Sequence, residues 1–262
     1  MKEALALEFK VPSEVSRGEF VWAVVQVQNR GGEAIDVSSR LNLFEGDLRV
    51  RLIAGGKPGK RIHGAYQVDS APRRASLAPG QALESGVNLF FTSAGLTFSE
   101  AGEYRLQAEY DPSVKSPTIV SDERRVIVHD PSKPADRELA EITLNRDLGR
   151  AVALAEAEPG SEGRARLERL STAFPKRREG RIAAIVLAAQ GDVKGRDKGP
   201  VVDVDSDRDA LELAYWISGL ATPASPRARA LTELFAAAVG KSAARGARGR
   251  AQAIVAGEPH EI

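Results

Sequence analysis

Apolar residues in this chain recur at every second position up to residue 130 and at every third or fourth from residue 134 onward. The first spacing suits a strand with one buried face and the second an amphipathic helix. Between them lies His129-Asp130-Pro131-Ser132-Lys133-Pro134, whose two prolines can continue neither a strand ladder nor a helix interior. The pattern predicts a multidomain chain: an all-β sandwich over 1–130 and an all-α domain of helical hairpins over 134–262.

In the first half, Leu5, Leu7, Phe9 and Val11 alternate with polar neighbours, and Val21, Ala23, Val25 and Val27 share one face of the next strand. Asn29-Arg30-Gly31-Gly32 reads as a turn. Ile35 and Val37, Leu41 and Leu43, and Leu48, Val50 and Leu52 continue the alternation. Residues 54–59 read as a hairpin loop before a return strand at Arg61-Ile62-His63, with a long irregular loop over 64–76. Leu83 to Phe91, Tyr104 to Tyr110 and Val126 to Val128 complete the set. Roughly seven to nine short strands between frequent turns argue for a β-sandwich.

Gly18-Glu19, the alternating valines, Asn29 and Gly31-Gly32 resemble a B strand and its turn in bacterial immunoglobulin-like domains. Leu77-x-Pro79-Gly80, then Glu100-x-Gly102-x-Tyr104-x-Leu106-x-Ala108, resembles the E–F corner and F strand of the same domains. The resemblance implies that Tyr104 is the tyrosine-corner residue, bonding back to upstream backbone, and that Leu106 and Val25 stand where the two core cysteines would be. The order of motifs is also similar to that of proteinase-inhibitor and adhesion-type sandwiches. No inhibitory-loop motif carries over, and a sandwich does not fix a function.

In the second half, Leu144, Leu148, Ala151 and Ala155 form one helical stripe. Ser161 can cap the next helix, which carries Leu167, Leu170 and Phe174 and is followed by Pro175. Ile182, Ile185, Val186 and Ala189 form a further stripe, and 191–206 reads as a polar loop. Helices follow over about 207–220, from Ser225-Pro226 through Ala238, and over 241–256. Leu167-x-x-Leu170-x-x-x-Phe174-Pro175 with Gly180-x-x-Ala183-Ala184 resembles one helix–Pro–helix junction of tetratricopeptide-like repeats. No second copy at the repeat period accompanies it.

Composition removes several chemistries. There is no cysteine, so disulfides, thiolate metal sites and a cysteine nucleophile are excluded. With 37 Lys+Arg against 36 Asp+Glu, the net charge is only +1. No apolar run approaches the length of a membrane span or a signal segment. The expectation is a soluble protein, either cytoplasmic or an extracytoplasmic mature form.

Each candidate constellation has a plainer account. Asp203, Asp205, Asp207 and Asp209 could ligate calcium, but Arg208 stands where the loop glycine should be and Ala214 where the bidentate Glu should be. A helix start capped by Ser206 explains the acids better. Residues 54–61 faintly resemble a phosphate loop but lack its first Gly and its final Ser/Thr. His63, His129 and His260 are dispersed and no Gly-x-Ser-x-Gly elbow exists. Trp22 points opposite to Val21 and Ala23, either as an exposed binding aromatic or packed under a neighbouring loop, whereas Trp216 lies in a helix apolar nearly all round.

Two basic clusters remain: Lys176, Arg177, Arg178 and Arg181, and Lys241, Arg245, Arg248 and Arg250. A solvated helix face accounts for either, and with aromatic residues at 5% no stacking platform favours nucleic acid. The reading is a non-enzymatic protein-binding or scaffold protein without catalytic, cofactor or metal residues. It would meet another protein through Lys57, Lys60, Arg61, Lys176, Arg177, Arg178 and Arg181. The alternatives are a proteinase inhibitor or an accessory domain of an enzyme complex.

Overall fold

The computed structural model describes residues 4–54, 59–67, 71–113, 115–190, 207–220, 226–239 and 245–261. The strands are β1 (Leu5–Lys10), β2 (Glu14–Ser16), β3 (Trp22–Asn29), β4 (Ile35–Ser38), β5 (Leu48–Ala54), β6 (Lys60–Ile62), β7 (Arg74–Leu77), β8 (Gln81–Asn88), β9 (Phe91–Thr92), β10 (Gly95–Leu96), β11 (Gly102–Tyr110), β12 (Ile119–Val120) and β13 (Arg124–His129). The helices follow as α1 (Pro134–Thr143), α2 (Arg146–Leu154), α3 (Glu162–Ala173), α4 (Arg178–Ala189), α5 (Asp207–Ser218), α6 (Pro226–Val239) and α7 (Arg245–Ala256). A last short strand, β14 (His260–Glu261), returns to the sheets. Strands thus fill the first half and helices most of the second.

The two larger sheets run β1-β3-β8-β14 and β2-β13-β11-β5-β6, with β12 added to β11. Their facing sides share one core of Phe9, Ala23, Val25, Val27, Leu83, Val50, Leu106 and Tyr110, all at or near zero exposure. Strand parity sends Trp22, Gln26, Glu84 and Gly86 to the opposite side of the first sheet. That side is covered by helices: Trp22, Phe20, Phe90 and Phe91 join a second core with Leu148, Leu167, Ile182, Trp216 and Ile254. The architecture is therefore three layers, an outer sheet, a middle sheet and a helical layer, with the middle sheet buried on both faces. Alternation places one residue set in each core, which is why a single strand feeds both.

Two glycines set how closely helices approach the strands. A Cβ on Gly86 of β8 would lie 1.8 Å from the Tyr215 carbonyl oxygen of α5, and one on Gly219 would lie 2.7 Å from the Gly86 carbonyl. The Gly86 amide donates to Ser218 Oγ at 2.8 Å, so the end of α5 is bonded directly to the strand. Gly18, at φ +89, lets its turn press against Ala140 and Thr143 of α1.

Several local expectations are met in detail. The Tyr104 hydroxyl donates to the Glu100 carbonyl at 2.9 Å, the upstream bond expected of a tyrosine corner. Leu106 and Val25 are fully buried in the inter-sheet core. Ser161 caps α3 by accepting from the Arg164 amide, and Trp216 is 2% exposed. Others need correction. Leu41 and Leu43 are buried but not in a strand, because Asn42 Oδ1 accepts from the Phe44 and Glu45 amides and bends the chain. The helical stripe from Leu144 falls on α2 alone, because Leu144 is the C-cap of α1, Asn145 caps α2 through the Leu148 amide, and Ala155 ends it in the left-handed region. The loop over 64–76 ends in β7, paired with β4. Residues 191–206, with Asp203, Asp205 and Ser206, and Ser225 lie outside the described residues. No helix among the described residues is long and apolar enough to cross a membrane.

Candidate functional site

The predicted basic turn is a joint between layers. Arg178, at the first position of α4, places its guanidinium 4.6 Å from the centre of the Trp22 ring. The neighbouring Glu179, 3% exposed, accepts the Phe20 amide at 3.1 Å. Arg177 pairs with Asp136 at 2.7 Å and lies over the Phe174 ring. Arg181 pairs with Asp209 at 2.9 Å, both side chains largely buried. The charges of Arg178 and Arg181, both expected at a partner surface, are matched within the fold, by Glu179 and Asp209. Lys176 is exposed and without an ion pair among the described residues. Glu19 beside this joint has its carboxyl pKa raised, first by burial and then by the neighbouring Glu179 carboxylate, against the lowering effect of the Ser16 amide.

One member of the second basic cluster, Arg250, also turns inward. Arg250 of α7 bonds both oxygens of Glu84, at 2.8 and 3.0 Å, in a bidentate pair. Glu84 has no side-chain exposure and also meets His260 Nε2 at 3.2 Å and Tyr215 Oη at 3.3 Å. Burial alone would raise the Glu84 pKa, but the hydrogen bonds from His260 and Arg250 outweigh it and bring it down to about 2. The same burial and the nearby Glu84 charge push the Tyr215 hydroxyl up to about 12. This cluster ties α5, α7 and β14 to β8. Arg250 is thus no solvated face, and Lys241 lies outside the described residues.

Around this strut a cleft of about 1450 Å³ opens between the middle sheet and the helices. Its walls come from both layers, with Glu84 and Ser85 of β8 on one side and Leu154, Leu231 and Ile254 on the other. Tyr66 stands at 39% exposure on its lining and packs against Phe44 at 5.0 Å between ring centres. Arg146 and Arg150, one turn apart on α2, are exposed at the cleft without an ion pair among the described residues. Sequence reasoning did not find this cleft, because its walls are brought together by the packing of helices on the sheet.

Lys60 and Arg61 lie on the far side of the molecule, at the edge of the outer sheet; Lys57 lies outside the described residues. Arg61 meets Glu109 at 2.8 Å, beside Arg51 at 2.7 Å. The structure therefore separates the two predicted groups of basic residues onto opposite layers. No group of three or more His, Asp or Glu side chains able to hold a metal ion occurs among the described residues.

No protein-family model matches the chain, and no curated protein matches it. Among solved structures the chain is similar to the CARDB domain of PF1109 from Pyrococcus furiosus, at 22% identity over 48% of this chain and 94% of that one, with a TM-score of 0.26. It is also similar to the sporulation control protein Spo0M from Bacillus subtilis, at 16% identity over 53% and 54% of the two chains, with a TM-score of 0.29. A β-glucosidase from Listeria innocua aligns at 16% identity over 48% of this chain and 16% of that enzyme, with a TM-score of 0.27.

Proposed function

We propose that this chain is a non-enzymatic binding protein that seats a segment of a partner protein in the cleft between the middle sheet and the helical layer. The cleft itself carries the reading. At about 1450 Å³ it exceeds the roughly 300–1,000 Å³ of ordinary small-molecule pockets, and its walls, which mix apolar side chains such as Leu154, Leu231 and Ile254 with charged ones such as Arg146 and Arg150, suit a peptide segment. The acid at the cleft argues the same way. Glu84 is held ionised by Arg250 and His260, so near neutral pH it is a poor proton donor and a weak base. Its role is to hold the walls at a fixed separation.

Site-specific photo-crosslinking in the native cell tests this reading. A benzoylphenylalanine at Tyr66 is expected to trap a discrete protein adduct, and the same group at Arg137, exposed on α1, is not. Charge reversal at Arg150 should weaken that adduct while leaving the melting temperature unchanged. Equal adducts from both positions, or none from position 66, would refute the cleft as a binding site.

A further inference from the structure

The outer face of the outer sheet is not covered by any described element. Alternation places Arg49, Arg51 and Ile53 of β5 on it, with Glu103, Arg105, Gln107 and Glu109 of β11, Arg125 and Ile127 of β13, and Arg61 of β6. Glu109 is 4% exposed, and three guanidinium groups crowd it: Arg51 at 2.7 Å, Arg61 at 2.8 Å and Arg49 at 3.7 Å. Arg49 also holds Asp111 at 2.6 Å. Three cations thus share two carboxylates, and Arg51 and Arg61 keep 42% and 55% of their side chains in solvent. Farther along, Arg105 and Arg125 share Glu103 and are themselves 54% and 62% exposed.

The face is also partly apolar. Ile53 and Ile127 are half-buried on it, and Val120 of β12, opposite Glu109, is 52% exposed. Val120 and Tyr66 are the large hydrophobic side chains left exposed among the described residues.

We infer that this face docks an acidic, partly apolar segment of a partner protein, with one carboxylate seated between Arg51 and Arg61 and an aliphatic side chain against Val120. The seated carboxylate balances the surplus cation, and Arg presents the forked donors that match it. A nucleic acid fits less well. Glu103 and Glu123 interrupt the arginines that a continuous phosphate run would need, and no aromatic side chain is exposed on the face among the described residues to stack a base. The face lies on the opposite side of the molecule from the cleft, so the two sites stand or fall separately.

The test is fluorescence anisotropy of the full chain with a labelled peptide of alternating Glu and Val. Saturable binding is expected, weakened about tenfold or more by Arg61→Glu and by Arg125→Glu, weakened by added salt, and unchanged by Arg150→Glu at the cleft. Circular dichroism of each variant checks that the fold persists; both arginines are more than half exposed, so it should. The inference is overturned if the peptide does not bind, if a Lys-Val peptide binds equally well, if only Arg150→Glu abolishes binding, or if a single-stranded oligonucleotide of equal length binds more tightly.

Discussion

The guanidinium of Arg178 lies over the Trp22 ring, 4.6 Å from its centre, and joins the first turn of α4 to the first residue of β3. Trp22 is 9% exposed, so the cation is held where water competes poorly for it. Such a contact is worth about 1–2 kcal/mol when desolvated. In a double-mutant cycle, Arg178→Ala and Trp22→Leu should couple by about 1 kcal/mol in urea unfolding. Additive losses would mean that the two side chains only share a boundary.

Gly86 and Gly249 should respond in opposite directions to alanine. At Gly86 the added Cβ would overlap the Tyr215 carbonyl, so α5 must move and the Ser218 bond is lost. A loss of about 2–4 kcal/mol is expected. At Gly249, within α7, a Cβ meets nothing within 4 Å, and alanine should add about 0.5–1 kcal/mol through helix propensity. Thermal melts of both variants decide the matter, and a tolerated Gly86→Ala would contradict the close approach of α5 and β8.

Acid should act on the strut at Glu84. Its folded pKa of about 2 lies below the ordinary 4.5, so its stabilisation is complete above about 4.5 and is lost as the pH falls toward 2. A difference of that size corresponds to about 3 kcal/mol. Glu84→Gln should therefore cost several kcal/mol at pH 7 and progressively less in acid, because Arg250 then lacks its counter-charge at every pH. Unfolding free energies measured from pH 7 to pH 2.5 would show the two curves converging; parallel curves would contradict the assignment.

Glu19 should show the reverse sign. Its carboxyl pKa is raised by burial and by Glu179, so the folded state binds that proton more tightly than the unfolded chain does. The group destabilises the fold once ionised and ceases to do so as the pH falls through its pKa. Glu19→Gln, whose amide oxygen can still accept from the Ser16 amide, should raise the melting temperature at pH 7 and make little difference at pH 3. A lower melting temperature at pH 7 would mean that the carboxylate charge is useful where it stands.

What could be read in the sequence was whatever local periodicity writes down. Alternation marked β1, β3, β5, β8 and β11, and the resemblance to immunoglobulin-like domains around Gly102-x-Tyr104 implied the corner whose hydroxyl bond the structure contains. Parity even assigned Trp22 to the face away from Ala23. It could not say that helices from the second half cover that face, since nothing local to Trp22 encodes a partner more than 150 residues away. The basic residues misled for the same reason. Arg178 and Arg250 look solvated by spacing, and only the fold brings Trp22 and Glu84 to them. β2, β12 and β14, at two or three residues each, are too short to show an alternation of their own.

The middle sheet has consequences for the order in which the protein can be made. As the chain leaves the ribosome, Phe20, Trp22, Phe90 and Phe91 emerge long before the helices that cover them. The β8 edge gains its β14 neighbour only when His260 arrives. The first half must therefore wait with an apolar sheet face uncovered, and His260 and Glu261 cover the β8 edge by bonding to a strand synthesised some 180 residues earlier.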